Sequence, residues 1–200
     1  EAFHPRLRGQ HRADMRRRLG IAESAVVFLM VGSGFERKGV LQLLEALARL
    51  PGGQQRLVIV GEDRRSAALR RRAAALGLGE RAIFAGPQTD PGPWYAMADC
   101  FVLPTLYDPF PNAALEAMAC GLPVITSTTC GAAEFIVEGK NGFVCDALDV
   151  QALAERMGAI DQASAQRMGE QARANVAGLG LQAMAGLLLA LYGSLLPRGS

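Results

Sequence analysis

The sequence predicts an α/β fold, a doubly wound parallel sheet of the Rossmann type with helices on both faces. Three observations carry that expectation. Short apolar runs recur at Ala25–Val31, Leu57–Val60, Ala82–Ala85 and Phe101–Leu103, and they are continuous rather than alternating, as in strands covered on both faces. Segments with helical composition or periodicity stand between them. The connections are short and rich in Gly and Pro, and strand–helix alternation with short turns implies parallel strands joined by crossover helices.

Taken in order, residues 1–10 read as linker, and a basic helix follows up to Gly20, with Met15 and Leu19 four positions apart. After the first strand comes the loop Gly32-Ser33-Gly34-Phe35-Glu36-Arg37-Lys38-Gly39, then a helix from Val40 to Leu50. Its apolar face is expected to hold Leu41, Leu44, Leu47 and Ala48, spaced by threes and fours. Pro51-Gly52-Gly53 stops that helix; Gly61-Glu62-Asp63 closes the second strand; Ser66–Leu76 is a basic helix. Gly86-Pro87-Gln88 follows the third strand, and Trp94–Ala98 is a short helix leading into the fourth. Then comes a turn, Asp108-Pro109-Phe110-Pro111-Asn112, and a run of good helix formers from Ala113, stopped by Gly121 and Pro123. A strand at Pro123–Thr126, an apolar run at Phe135–Val137 and a short strand at Phe143–Cys145 precede three helices, Val150–Ile160, Ser164–Ala177 and Leu181–Leu191.

Two hundred residues suffice for one domain that buries roughly 70% of its unfolded surface, with no need of disulfides or metal. The domain is expected to span 11–196, with 197–200 a tail of vector type and the whole a piece of a longer chain. A net charge of +2 argues against bulk nucleic-acid binding. The arginines cluster at 6–18 and 64–72; solvated helix faces are expected, with a surface for acidic partners as the alternative. Cys100, Cys120, Cys130 and Cys145 form no CxxC pair and only His4 and His11 accompany them, which disfavours zinc and fits a reducing cytoplasm. Leu179–Leu196 is the most apolar segment, but Gly180, Gln182, Gly186 and Gly193 interrupt it. It is short for a membrane span and reads as a packed helix.

The loops after the strands carry the chemistry. Gly32 and Gly34 begin a dinucleotide fingerprint, but Arg37 stands in the third glycine position, and Lys38 precedes Gly39 where a P-loop would need Ser or Thr after the lysine. Adjacent cations at a helix start oppose the helix dipole at a cost of roughly 0.3–1 kcal/mol. An anion bridging them returns on the order of 1.5–3 kcal/mol per charge-assisted hydrogen bond, so a diphosphate suits this loop. Glycine at 61 and 86 would let a ligand approach the backbone, although plain strand-end turns explain each of them taken singly. Asp108 and Glu116, with the amides of the following helix between them, suit hydroxyls and phosphates; paired carboxylates also serve acid/base work.

Together these loops resemble glycosyltransferase family 4, retaining enzymes of the two-domain GT-B fold. The likeness rests on Arg37-Lys38-Gly39, Ile83-Phe84-Ala85-Gly86, Trp94-Tyr95-Ala96-Met97-Ala98-Asp99, and Asp108–Gly121 followed by Pro123-Val124-Ile125. Within the family the chain looks most like bacterial lipopolysaccharide core glucosyltransferases that use UDP-glucose. The resemblance implies the C-terminal, donor-binding half of a GT-B enzyme. Glu116 would bind ribose, and Asp108, standing where the family carries Glu, would lie by the donor sugar. Arg37 and Lys38 would hold the diphosphate without a metal or other cofactor. Gly32, Ser33, Gly34, Gly61 and Gly86 would line the donor site, with the backbone of Pro109, Phe110, Pro111, Asn112 and Ala113 facing sugar and phosphate. It further implies hexose transfer to a glycan or lipid-linked acceptor held by an N-terminal domain, in the cytoplasm and at the inner membrane face, with little turnover by this half alone. A nucleotide-sugar epimerase and a nucleotide-binding module without catalysis are the alternatives. A dehydrogenase is disfavoured by the broken fingerprint.

Overall fold

In the computed structural model, which describes residues 2–195, six parallel strands form one sheet. The strands are β1 (Val26–Val31), β2 (Gln55–Val60), β3 (Ala82–Gly86), β4 (Cys100–Leu103), β5 (Val124–Ser127) and β6 (Gly142–Cys145). Their order across the sheet is β3-β2-β1-β4-β5-β6, and every neighbouring pair is parallel. The chain winds from β1 outward to β3, then returns to the other side of β1 to place β4. The reversal therefore falls between β1 and β4, the point where open α/β sheets form a crevice beyond the strand ends. Residues Val27–Met30 and Phe101–Leu103 are wholly buried, because helices cover both faces of the sheet.

The helices are α1 (Arg6–Arg18), α2 (Val40–Arg49), α3 (Ser66–Ala75), α4 (Gly92–Met97), α5 (Asn112–Ala119), α6 (Val150–Gly158), α7 (Gln162–Val176) and α8 (Leu181–Leu195). Two 3-10 turns, Gly79–Arg81 and Gly131–Phe135, complete the set among the described residues. On α2 the buried face is Val40, Leu43, Leu44, Ala46 and Leu47, while Leu41 is exposed. Of the expected face, Leu44 and Leu47 are buried and Ala48 packs against the core, but Leu41 is exposed and Val40 and Leu43 are buried instead; Val40, Leu43, Leu44 and Leu47 satisfy the same three-and-four spacing, and spacing alone does not choose between the two sets.

Residues 6–10, expected as linker, belong to α1. Pro5 precedes the helix with φ −56°, a geometry its ring pre-sets for a helix start. The arginines of α1 are not simply a solvated face. Arg8, Arg12 and Arg16, one helical turn apart, all reach Asp99 just before β4, at 3.2, 2.8 and 2.6 Å. Arg16 and Asp99 are fully buried side chains. Arg16 also donates to the carbonyls of Met97, Ala22, Glu23 and Ala25, and Asp99 Oδ2 accepts the Val27 N–H at 2.9 Å. A buried charge survives only when its hydrogen-bonding capacity is met, and here carbonyls and carboxylate meet it. The second cluster keeps its solvated character: Arg65 pairs with Glu36 and Arg72 with Glu45, all partly exposed.

The segment expected as a packed helix is helical but not packed. Residues 182–195 of α8 are exposed, among them Leu187, Leu189, Leu191 and Tyr192. Its composition favours a helix, yet the described residues offer it no covering surface beyond a cavity of about 350 Å³ shared with Phe110, Asn112 and Leu115. Leu196 and the expected tail 197–200 lie outside the described residues. Among the described residues no helix is long and apolar enough to cross a membrane.

The Asp99 hub ties α1 to the entry of β1 and β4, so its loss should be felt by the whole fold. Asp99→Ala is expected to lower the unfolding free energy by about 3–5 kcal/mol in urea denaturation, since it leaves Arg16 buried without its counter-charge. Arg17→Ala, at an exposed position, should stay within about 0.5 kcal/mol of wild type. A loss below about 1 kcal/mol for Asp99→Ala would contradict the hub.

Candidate functional site

The loops leaving β1 and β4 interlock at the reversal point. The Arg37 carbonyl accepts the Leu106 N–H at 2.7 Å and the hydroxyl of buried Thr105 at 3.0 Å. Gly39, at φ 71°, begins α2 so close to Pro104 that a Cβ there would stand 2.1 Å from the Pro104 carbonyl oxygen. Only glycine permits both the left-handed backbone and that approach.

Within this frame Arg37, Lys38 and Asp108 meet. Lys38 Nζ donates to Asp108 Oδ2 at 2.9 Å, and Arg37 donates to the same oxygen at 3.2 Å and to the Tyr107 carbonyl at 2.6 Å. Lys38 and Asp108 are each 8% exposed, whereas the Arg37 side chain is about half exposed. The Lys38 stem passes over Gly32, where a Cβ would sit 2.8 Å from Lys38 Cε. Asp108 is pinned through its backbone as well: its N–H reaches Thr129 O at 3.3 Å and its carbonyl accepts the Gly131 N–H at 2.9 Å. Burial acts to raise the Asp108 carboxyl, but hydrogen bonds and charge from Lys38 and Arg37 outweigh it and hold the group below its ordinary value. Two cations facing one carboxylate leave one positive charge for an incoming anion.

An anion was expected to bridge the two cations, and in the free chain the carboxylate of Asp108 bridges them. Asp108 and Glu116 have separate partners: Asp108 accepts from Lys38 and Arg37, and Glu116 from a tyrosine. Glu116, half buried on α5, accepts through Oε2 from the hydroxyl of Tyr95 on α4 at 2.9 Å. The α5 N-terminus follows Pro111, which has no N–H, and no side chain caps it. The Ala114 N–H turns back to the Pro111 carbonyl at 3.0 Å, and the amides of Asn112 and Ala113 before it receive no side-chain cap. Pro109, Phe110 and Asn112 are exposed there, and Gly131 packs against the Pro109 carbonyl where a Cβ would clash at 1.8 Å.

The remaining residues expected in the site divide. Ser33 is exposed and Gly34 partly exposed at φ 73°. Gly61 is small because the Gly32 carbonyl lies against it, 2.0 Å from where a Cβ would be; here backbone meets backbone, with no ligand needed to explain the residue. Gly86, at φ 73°, has open space beside its Cα.

Sequence reasoning gave no functional role to Tyr95, Thr105 or Asp63. Asp63 accepts the N–H groups of Phe35 and Arg65 at 3.1 and 2.6 Å, joining the loops after β1 and β2. The one available signal for Asp63 was an acid two positions after a strand-end glycine, Gly61-Glu62-Asp63. Tyr95 lies four residues before the hub Asp99, and nothing local announces its partner.

The chain matches the family described as "Glycosyl transferases group 1" over residues 11–175. It is 37% identical over 147 residues to the lipopolysaccharide core biosynthesis glycosyltransferase LpsE of Rhizobium meliloti (strain 1021), covering 74% of this chain and 42% of that protein. It is also 37% identical over 134 residues to the lipopolysaccharide glucosyltransferase WaaG of Escherichia coli (strain K12), covering 64% and 35%. Among solved structures, Anabaena Alr3699/HepE in complex with UDP-glucose superposes with a TM-score of 0.83 at 25% identity, over 96% of this chain and 56% of that one. The chain spans less than half the length of these two curated relatives.

Because Asp108 titrates below its ordinary value in the fold, its ionisation stabilises the protein above the unfolded carboxylate value of about 3.9. That contribution fades as pH falls through the lower folded value. The stability difference between wild type and Asp108→Asn should thus be largest near neutrality and shrink below about pH 4 in denaturant titrations at several pH values. A difference that stays constant from pH 7 to 2 would show that Lys38 and Arg37 do not hold the ionised carboxylate.

Proposed function

The chain belongs to the group 1 glycosyl transferases, and on that premise we propose that it is the donor-binding half of a retaining hexosyltransferase. Its donor is a UDP-sugar, with glucose as the hexose, and its acceptor is a glycan of the lipopolysaccharide-core kind. The observation that carries this reading is the surplus positive charge of Lys38 and Arg37 at the crevice between β1 and β4. The names of LpsE and WaaG support the acceptor class, and the UDP-glucose complex of HepE supports the donor.

Donor binding is an exchange of anions. The diphosphate takes Lys38 and Arg37 from Asp108, with the uncapped amides of α5 as further donors. Lys38 is never left buried without a counter-charge, because one anion replaces another. The released Asp108 carboxylate is then free to accept from hydroxyls of the donor sugar, and Glu116 from those of the ribose. When the bond from the anomeric carbon to the phosphate oxygen breaks, negative charge grows on the departing diphosphate. Lys38, Arg37 and the helix amides stabilise it in place of a metal, and the acceptor hydroxyl oxygen joins the anomeric carbon with retention, its proton passing to the departing diphosphate oxygen. The acceptor is held by the part of the relatives that this chain does not span, so the 200-residue chain binds nucleotide and transfers sugar slowly or not at all. The complete enzyme works in the cytoplasm at the inner face of the membrane.

Calorimetry with UDP, GDP and ADP tests this. UDP is expected to bind most tightly, and Lys38→Ala to weaken it about 10- to 150-fold, equivalent to the roughly 1.5–3 kcal/mol of a hydrogen bond to a charged group. Binding of none of the three, or an unchanged affinity in Lys38→Ala, would refute the donor site.

A further inference from the structure

Tyr95 is fully buried, with its ring edge-on to Phe3 at 5.7 Å and tilted against Phe101 at 6.1 Å. This packing fixes the ring and leaves only its hydroxyl to choose a partner. A buried phenol needs one, and two acceptors lie in reach: the Ala113 carbonyl at 3.2 Å and Glu116 Oε2 at 2.9 Å. The hydroxyl carries a single proton, and a carboxylate accepts more strongly than a carbonyl, so Glu116 takes it. Burial and the negative charge of Glu116 push the Tyr95 hydroxyl well above its ordinary value, so it remains a donor at any physiological pH.

Glu116 is less enclosed than Tyr95. It is half buried on the second turn of α5, with a flexible side chain that has several rotamers to lose on ordering. We propose that Tyr95 is a positioning residue for the nucleotide: it holds one oxygen of Glu116 so that the other accepts from the ribose hydroxyls. This rests on the reading that Glu116 takes the ribose. The same hydroxyl lies beside a carbonyl of the first turn of α5, so one buried group sets the carboxylate relative to the amides that receive the diphosphate. A prepaid rotamer raises affinity without a new ligand contact. The effect is specific to ligands that carry ribose hydroxyls, a signature that loss of packing does not produce.

The test compares UDP with 2′,3′-dideoxy-UDP in wild type, Tyr95→Phe, Glu116→Ala and the double variant, by calorimetry. If GDP or ADP stabilises the chain more than UDP, that nucleotide and its dideoxy form replace the pair. Tyr95→Phe keeps the ring and its contacts with Phe3 and Phe101, and thermal unfolding follows its fold. Wild type should prefer the ribose form, and Glu116→Ala should bring that preference close to unity. Tyr95→Phe should cut the preference about three- to tenfold, leave dideoxy binding within twofold of wild type, and add nothing in the Glu116→Ala background. If Glu116→Ala removes the preference but Tyr95→Phe keeps it, or weakens both ligands equally, the positioning role falls and the ribose reading stands. If Glu116→Ala keeps the preference, or no nucleotide binds, the ribose reading fails and Tyr95's role with it.

Discussion

One carboxylate oxygen, Oδ2 of Asp108, receives both Lys38 and Arg37, and the chemistry of the site follows from that crowding. A nearly buried ammonium without a counter-charge costs several kcal/mol, so Lys38 must always face an anion. In the free chain that anion is Asp108. It is a small acid, pinned by its own backbone to Thr129 and Gly131, and one negative charge does not neutralise two cations. A diphosphate carries enough charge to take both. The site thus keeps its cations in place before a ligand arrives, which is the preorganisation that makes electrostatic stabilisation effective.

The fold supplies the position. The return of the chain from β3 to β4 opens a crevice beside β1, and the loops on its two sides are locked by the Arg37 carbonyl and by the approach of Gly39 to Pro104. Glycine at 32 gives the Lys38 stem its path. Behind the crevice, the buried Asp99 binds three arginines of α1 and the start of β1, so the strands that carry the two loops share an anchor at their opposite ends.

Much of this was legible in the sequence because it is written locally. Continuous apolar runs mark strands, glycine and proline mark their ends, and every strand appears within two residues of its expected place. Arg37, Lys38 and Asp108 stood out as charges in strand-end loops, and the structure brings them together. What was hidden depends on contacts distant in the chain. Arg16 reads as one more surface arginine until Asp99, 83 positions away, is folded against it. Tyr95 reads as core until its hydroxyl meets Glu116. On α2, Leu44 and Leu47 are buried as expected, but Leu41 was taken for the face in place of Leu43, because both leucines fit one period. The packing expected of α8 failed for another reason: composition reports that a helix wants cover, and says nothing about where that cover is.

A crystal structure of this chain with UDP tests the central claim most directly. The account predicts a phosphate oxygen within about 3.2 Å of Lys38 Nζ, the Asp108 carboxylate swung away from the cations, and Glu116 against the ribose. UDP bound elsewhere, with the Lys38–Asp108 pair intact, would contradict it.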